Sequence, residues 1–401
     1  MAIKSIISRA LGLRNVSHDF YIARSLTRPE WLYQFGTTIP KAPIAMTPVN
    51  EPSEEDVTLC HRLIAAYTKA ASGDLMTDGP IWSSMIRREY GSLRATVDSR
   101  DASALAELLC RMFRSSCVHG IASGDLYRAN LAKRFWQLKL LDDCVSLAEY
   151  LGAVRVENPE QGRIGVALAD GVSPLIDRIE ERLRGSIGFP CVGAPYGIYA
   201  GDRLLTMESP EYTYVAARIR EAVRSHLPRL ENPEMLEIGA GFGGTALYVM
   251  RLMPEIRTYT IVDLPVINVL QGYFLGKCFG ADAVSLFGEQ YSRIRILPTS
   301  AIEHHSCNVL INENSMPEMS PETVHGYLRW AVRGVHGIFY SYQQEAWNDQ
   351  VLVHKAVAES GAFLRLSRNR SWVRRGYVEE TYANVGYPAL GEALAEVDER
   401  T

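Results

Sequence analysis

Two carboxylates with a run of glycines between them define the chemistry open to this chain. Met235–Ile238 is a short apolar run that carries Glu237 near its end, and Gly239, Gly241, Gly243 and Gly244 follow at once. Glycine permits positive φ and lets a backbone pass close to a ligand. Thr245–Met253 has apolar residues at helical spacing and stops at Pro254. Arg257–Val262 is β-branched and aromatic and reads as a strand that ends on Asp263, twenty residues beyond Gly243. Strand, E-x-G-x-G-x-G turn, helix, strand and acid together form a nucleotide-cofactor fingerprint, with the second acid placed for ribose hydroxyls.

Two cofactor classes compete for such a turn. A dinucleotide lays its pyrophosphate on the helix N-terminus. S-adenosylmethionine (SAM) has no phosphate and carries a sulfonium. Glu237 would repel a pyrophosphate but suits an ammonium or sulfonium, so SAM is the expected cofactor and a nicotinamide-dependent oxidoreductase the rival. The third alternative is a tight turn with no ligand. On the SAM reading the bend should be nearly bare of side chains.

LEIGAGFGGTA, then TIVDLP, then LINENSMPEMSPETVHGYL resemble class I SAM-dependent methyltransferases. Within them the chain resembles the bacterial sugar O-methyltransferase family and the related indole C-methyltransferases of actinobacterial secondary metabolism. The resemblance covers about residues 185–390. It implies a seven-stranded Rossmann-like domain that transfers a methyl group to a small-molecule acceptor, either a hydroxyl of a sugar or secondary metabolite or a carbon of an indole or other aromatic product.

Cofactor groups should gather at the carboxyl ends of the parallel strands. That selects Glu237, Gly239, Gly241 and Gly243, then Asp263 with the Leu264 backbone, Ser300 and Ala301 after the third strand, and Asn312 and Glu313 after the fourth. Many relatives carry Asp where Ser300 stands, and helix capping is the alternative role for Ser300. A sugar hydroxyl needs a base, because its pKa lies far above neutrality. Glu318 and His119 are the candidates, with His304, His305 and His336 behind them. Tyr196 and Tyr199 are expected on a substrate wall, and Phe20, Tyr21, Trp31 and Trp136 could line an aromatic pocket.

The elements that must position these groups fall into an all-helical region (1–185), a connecting loop and helix (186–230) and a Rossmann-like domain (231–401). The first has helices from Ser53, over Ala102–His119, over Leu126–Leu151 and from Ser173 to Gly185, after a proline-rich stretch, 37–52. Residues 186–209 interleave Gly, Pro and Tyr and read as a loop or lid, and Ser209 caps the next helix. Beyond the bend, helices are expected over 266–279, 321–332 and 350–359. Strands are expected over 293–297, 307–312 and 337–342, with 363–369 and 372–379 as an antiparallel pair.

The whole chain of 401 residues is 47% hydrophobic and 22% charged, with net charge −4. That balance is globular and argues against a nucleic-acid surface as its main business. No apolar run reaches membrane-span length, and the N-terminus lacks the hydrophobic core of a signal peptide. Seven cysteines without a C-x-x-C pair read as buried thiols in a reducing, cytoplasmic compartment. No His-x-x-x-His pair occurs, so no metal is expected, and the helical region could dimerise the protein.

Overall fold

A computed structural model describes residues 24–32, 39–71, 80–122, 133–158, 160–162, 165–345 and 350–387. Within the proline-rich stretch, Ala45–Met46 forms a short strand, β1. Helix α1 (Glu54–Ala71) starts at a reciprocal capping box: the Ser53 amide donates to Asp56 and the Asp56 amide to the Ser53 hydroxyl. Two helices with no forecast in the sequence follow, α2 (Pro80–Arg88) and α3 (Gly91–Asp98). The long helix expected over 102–119 is shorter. It begins at the Asp101 cap and ends as α4 at Leu109, after which the chain makes two 3-10 turns, Met112–Arg114 and Ser116–Val118. The Phe113 amide donates to the Gly193 carbonyl instead of continuing the helix.

Helix α5 spans Lys133–Tyr150, and the expected start at Leu126 lies outside the described residues. Helix α6 spans Val172–Leu183, so Ser173 lies inside it rather than capping it. Residues 186–209 are more than a loop: β2 (Tyr196–Ala200) and β3 (Arg203–Leu205) join β1 in a three-stranded antiparallel sheet. The helical half therefore contributes a strand to a small sheet, which an all-helical reading did not include. Helix α7 (Ser209–His226) follows, with Glu208 rather than Ser209 at the cap position.

The Rossmann-like unit runs β4 (Glu234–Ile238), α8 (Gly244–Leu252), β5 (Thr258–Asp263), α9 (Pro265–Phe279), β6 (Val284–Leu286), β7 (Ile294–Pro298), β8 (Cys307–Glu313), α10 (Pro321–Gly334), β9 (Val335–Gln344), α11 (Val353–Ser360), β10 (Phe363–Arg370) and β11 (Tyr377–Asn384). The sheet has eight strands in the order β10-β11-β9-β8-β4-β5-β7-β6. The eighth is β6, only three residues long, too short to show an alternating pattern. Strands β4 to β9 pair in parallel, and β11 lies antiparallel between β9 and β10. The last strand starts at Tyr377 rather than at Trp372, because Ser371 and Tyr377 close a turn that includes Gly376 at positive φ.

One apolar cluster joins the helical region to one face of this sheet, through Leu63, Leu109, Phe113, Leu247 and Phe274. A second fills the other face under α10 and α11, with Leu236, Leu297, Trp330 and Phe339. Helix α1 packs directly on α9. Its closest approach is at Gly272, where a Cβ would collide with Leu63 and come within 2.9 Å of Leu286. The Lys277 ammonium reinforces this contact 2.9 Å from Asp56, and the Tyr273 hydroxyl donates to Asp56 at 3.0 Å.

Gly272→Val should therefore overpack the α1–α9 contact and cost about 1–3 kcal/mol in denaturant unfolding. Gly326→Ala, where only an Arg329 nitrogen lies nearby at 3.8 Å, should instead gain up to about 1 kcal/mol from helix propensity.

Candidate functional site

The carboxyl ends of β4, β5, β7 and β8 meet at the glycine bend. Gly239, Gly241 and Gly243 all have positive φ, which ties the turn to glycine whatever it binds. The bend is not bare. A Cβ at Gly239 would collide with the Ser315 hydroxyl, and Ile121 from the helical region lies 3.5 Å from where a Gly241 Cβ would stand. Packing within the protein thus accounts for much of the glycine content, and Ile121 covers the outer side of the turn.

Asp263 closes β5 beside the bend and is buried. Its carboxylate accepts from the Leu264 amide at 2.7 Å and from Gln271 Nε2 at 2.7 Å. The same Gln271 nitrogen donates to the Gly241 carbonyl at 2.8 Å. Burial pushes the Asp263 carboxyl up to about 7, against the lowering effect of Leu264, Gln271 and the Ala240 and Gly241 amides. Leu264 sits at the cap position of α9.

Glu237 does not face the turn's outer side. It lies inside the sheet, accepts from the Tyr259 hydroxyl at 2.7 Å, and is pushed up to about 8 by burial, with Asp263 adding to the rise. Asn312 is fully buried, and its amide nitrogen ties β8 to the Ile238 carbonyl at 2.8 Å and to Ser315 at 2.5 Å. Glu313 points to the first turn of α8, where the Thr245 hydroxyl donates to it. Burial first, then the Glu211 charge, raise its carboxyl well above the ordinary range. Ser300 is exposed just past β7, while Ala301 is buried in the second apolar cluster.

The candidate base Glu318 lies beyond β8 in the turn Met316–Glu318, and the Trp82 indole nitrogen of α2 donates to it at 2.8 Å. Burial raises the Glu318 carboxyl, and the Trp82 bond lowers it. The Trp82 ring stands 6.1 Å from Tyr90, whose hydroxyl donates to the His119 carbonyl at 2.9 Å. His119 itself is exposed, two residues before Ile121. The structure therefore groups Glu318, Trp82, Tyr90, the His119 backbone and Ile121 over the bend and Asp263.

Other expected residues stand elsewhere. Tyr196 and Tyr199 lie on β2, in the small sheet rather than on the carboxyl edge of the large one. The Arg114 guanidinium covers the Tyr196 ring at 5.5 Å, and Tyr199 is 44% exposed. His336 lies at the amino end of β9, the opposite edge from the bend. His305 is held on Tyr291 at 3.3 Å, and burial and Arg295 lower its pKa. Trp31 and Trp136 are buried core residues, and Phe20 and Tyr21 lie outside the described residues. One group of metal-ligating types, Glu345, His354 and Glu380, comes together among the described residues, and Arg368 already bridges its two carboxylates, each at 2.8 Å.

Three contributors escaped sequence reasoning. Trp82 lies on an unforecast helix. Ser315 follows β8 without a motif to mark it. Gln271 did leave a signal, as one of two amides, with Asn268, in the apolar stretch VINVLQGYFLG.

No family model matches the chain, and no curated protein matches it. Solved structures do align with it. The N-methyltransferase NodS from Bradyrhizobium japonicum, in complex with S-adenosylhomocysteine, is 13% identical, with 43% of this chain and 88% of that chain covered and a TM-score of 0.31. The Burkholderia thailandensis 1,6-didemethyltoxoflavin-N1-methyltransferase is 16% identical over 43% and 78%, with a TM-score of 0.31. The magnesium protoporphyrin IX methyltransferase from Synechocystis, with bound SAM, is 7% identical over 43% and 79%, with a TM-score of 0.32. At these scores the matches add nothing to what the strand order itself says.

The buried acids give a pH dependence of known sign. Unfolded, both Glu237 and Asp263 lose their protons near pH 4. Folded, they hold them to about 8 and about 7. Between these limits the folded state binds more protons, so stability falls as pH rises. Thermal melts should drop between pH 5 and pH 8, and Glu237→Gln should flatten that slope.

Proposed function

We propose that the chain is a SAM-dependent methyltransferase acting on a small-molecule acceptor. The observation that carries this reading is the contact of Glu313 with Thr245 in the first turn of α8. A dinucleotide-binding turn needs that helix N-terminus for a diphosphate. Here a buried acid faces it, with Glu237 close behind. The first turn of α8 therefore already carries a protein acid where a dinucleotide site leaves room for a diphosphate, and a phosphate-free nucleoside suits it better. The antiparallel β11 points the same way, since the dinucleotide fold orders its strands 3-2-1-4-5-6.

The donor set fits the group. Asp263 would take the ribose hydroxyls, Gly239–Gly243 and the Leu264 backbone would lie along the nucleoside, and Ser300 and Ala301 would meet the adenine edge. SAM, when bound, supplies a methyl already activated on a sulfonium. The chain's own task is to orient the acceptor and keep water out. Ile121 and Trp82 roof the site, so Ile121 must rotate off Gly241 as the nucleoside enters. Glu318 takes the acceptor proton, and Trp82 holds that carboxylate in place. His119 is the alternative base.

The acceptor is a hydroxyl of a sugar or secondary metabolite. The ring pair of Trp82 and Tyr90 beside Glu318 favours a second reading, a flat aromatic acceptor methylated on carbon. In this reading residues 1–185 form the helical acceptor and dimerisation region, 186–230 the connection and 231–401 the cofactor domain. No described helix is long and apolar enough to cross a membrane. The protein would work in the cytoplasm as a homodimer, without a metal and without nucleic acid.

Calorimetry with S-adenosylhomocysteine and with NADH tests the choice of cofactor. The homocysteine nucleoside should bind, NADH should not, and Asp263→Ala should weaken binding at least about tenfold, the loss of a charge-assisted hydrogen bond. Binding of NADH alone, or an unchanged affinity in Asp263→Ala, would contradict the assignment.

A further inference from the structure

We propose that Gln271 is a positioning residue of the nucleoside site, its one amide nitrogen coupling the Gly241 carbonyl to the Asp263 carboxylate. The proposal rests on the methyltransferase reading for its function, but its geometry stands alone. Gln271 is fully buried in α9. Its Nε2 has two hydrogens, and both are spent, on Gly241 O at 2.8 Å and Asp263 Oδ2 at 2.7 Å. Both partners are acceptors, so the amide can face only one way. Its Oε1 accepts from Asn268 Nδ2 at 2.9 Å, which completes the group.

A buried carboxamide in an apolar helix costs free energy unless every bond is made. Here the bonds bind two separate parts of the site, the turn and the acid, in one geometry. An apolar side chain of the same size would fill the space and leave both acceptors short of a donor. Asp263 would then lose one of the donors that favour its charged form, while the burial that disfavours the charge, the neighbouring Glu237 carboxyl on β4 and the phenol of Tyr90, in the turn between α2 and α3, would stay in place. A protonated Asp263 accepts poorly from ribose hydroxyls. Losing Gln271 should therefore make nucleoside binding depend on pH near neutrality, which a loss of packing alone would not do.

The test is calorimetry of the full chain with S-adenosylhomocysteine from pH 6 to pH 9, beside a carbon-13 carboxyl titration of Asp263 without ligand. Gln271→Met should bind about tenfold more weakly at pH 7, recover toward the wild-type affinity at pH 9, and titrate Asp263 at higher pH. In an Asp263→Asn background the same change should alter affinity less than about twofold, because the two sites act as one. A loss equal at every pH and in both backgrounds would reduce Gln271 to a packing residue, and an unmoved Asp263 titration would overturn the proposal. If Gln271→Met does not fold, Asn268→Ala frees Oε1 and should shift the titration in the same direction, and no shift there would also overturn it. If the wild type binds no S-adenosylhomocysteine, the methyltransferase reading fails, while the ligand-free titration still decides the role of Gln271.

Discussion

A carboxylate kept out of water must find donors, and Asp263 finds them in the turn it serves. The Leu264 amide, Gln271 and the amides of Ala240 and Gly241 surround it. The bonds from Gln271, Ala240 and Gly241 also fix part of the glycine bend. The acid and the turn therefore hold one shape together, and neither can shift alone. Because burial disfavours the charge, the site sits near the balance point between its two protonation states. That balance makes the donors around Asp263 functionally expensive to remove.

The rest of the fold delivers this arrangement and covers it. Parallel strands β4, β5, β7 and β8 bring their carboxyl ends to one edge. Helix α1 locks onto α9 through the close approach at Gly272, which fixes the helix that carries Gln271. The region from α2 to Ile121 then folds over the edge and places Trp82 on Glu318 and Ile121 on Gly241. One apolar cluster runs through both halves, so the cover is part of the core rather than a loose appendage. Beneath the bend, Glu237 and Glu313 form a buried acidic layer whose hydroxyl donors are Tyr259 and Thr245.

Much of this was legible in local sequence. The strand, bend, helix and strand around Gly239–Asp263 stand where the glycine and β-branched patterns put them, because those patterns report local backbone constraints. The helix starts after Ser53 and at 321 stand as expected for the same reason, each held by a serine cap. What failed was non-local. The helix through Ala102–His119 broke because Gly193, far along the chain, accepts the Phe113 amide. Strand β1 exists only by pairing with β2 across about 150 residues, for example Ala45 with Gly197. Two acids that look alike in sequence also part company. Asp263 meets the bend, while Glu237 turns inward to Tyr259, a distinction that needs the register of β4 on β5.

The most direct test is a crystal structure of the protein with S-adenosylhomocysteine. The ribose should lie within hydrogen-bond reach of Asp263, with Ile121 turned off Gly241 and Gln271 unmoved. A nucleoside bound away from Asp263, or a diphosphate resting on the first turn of α8, would contradict this description of the site.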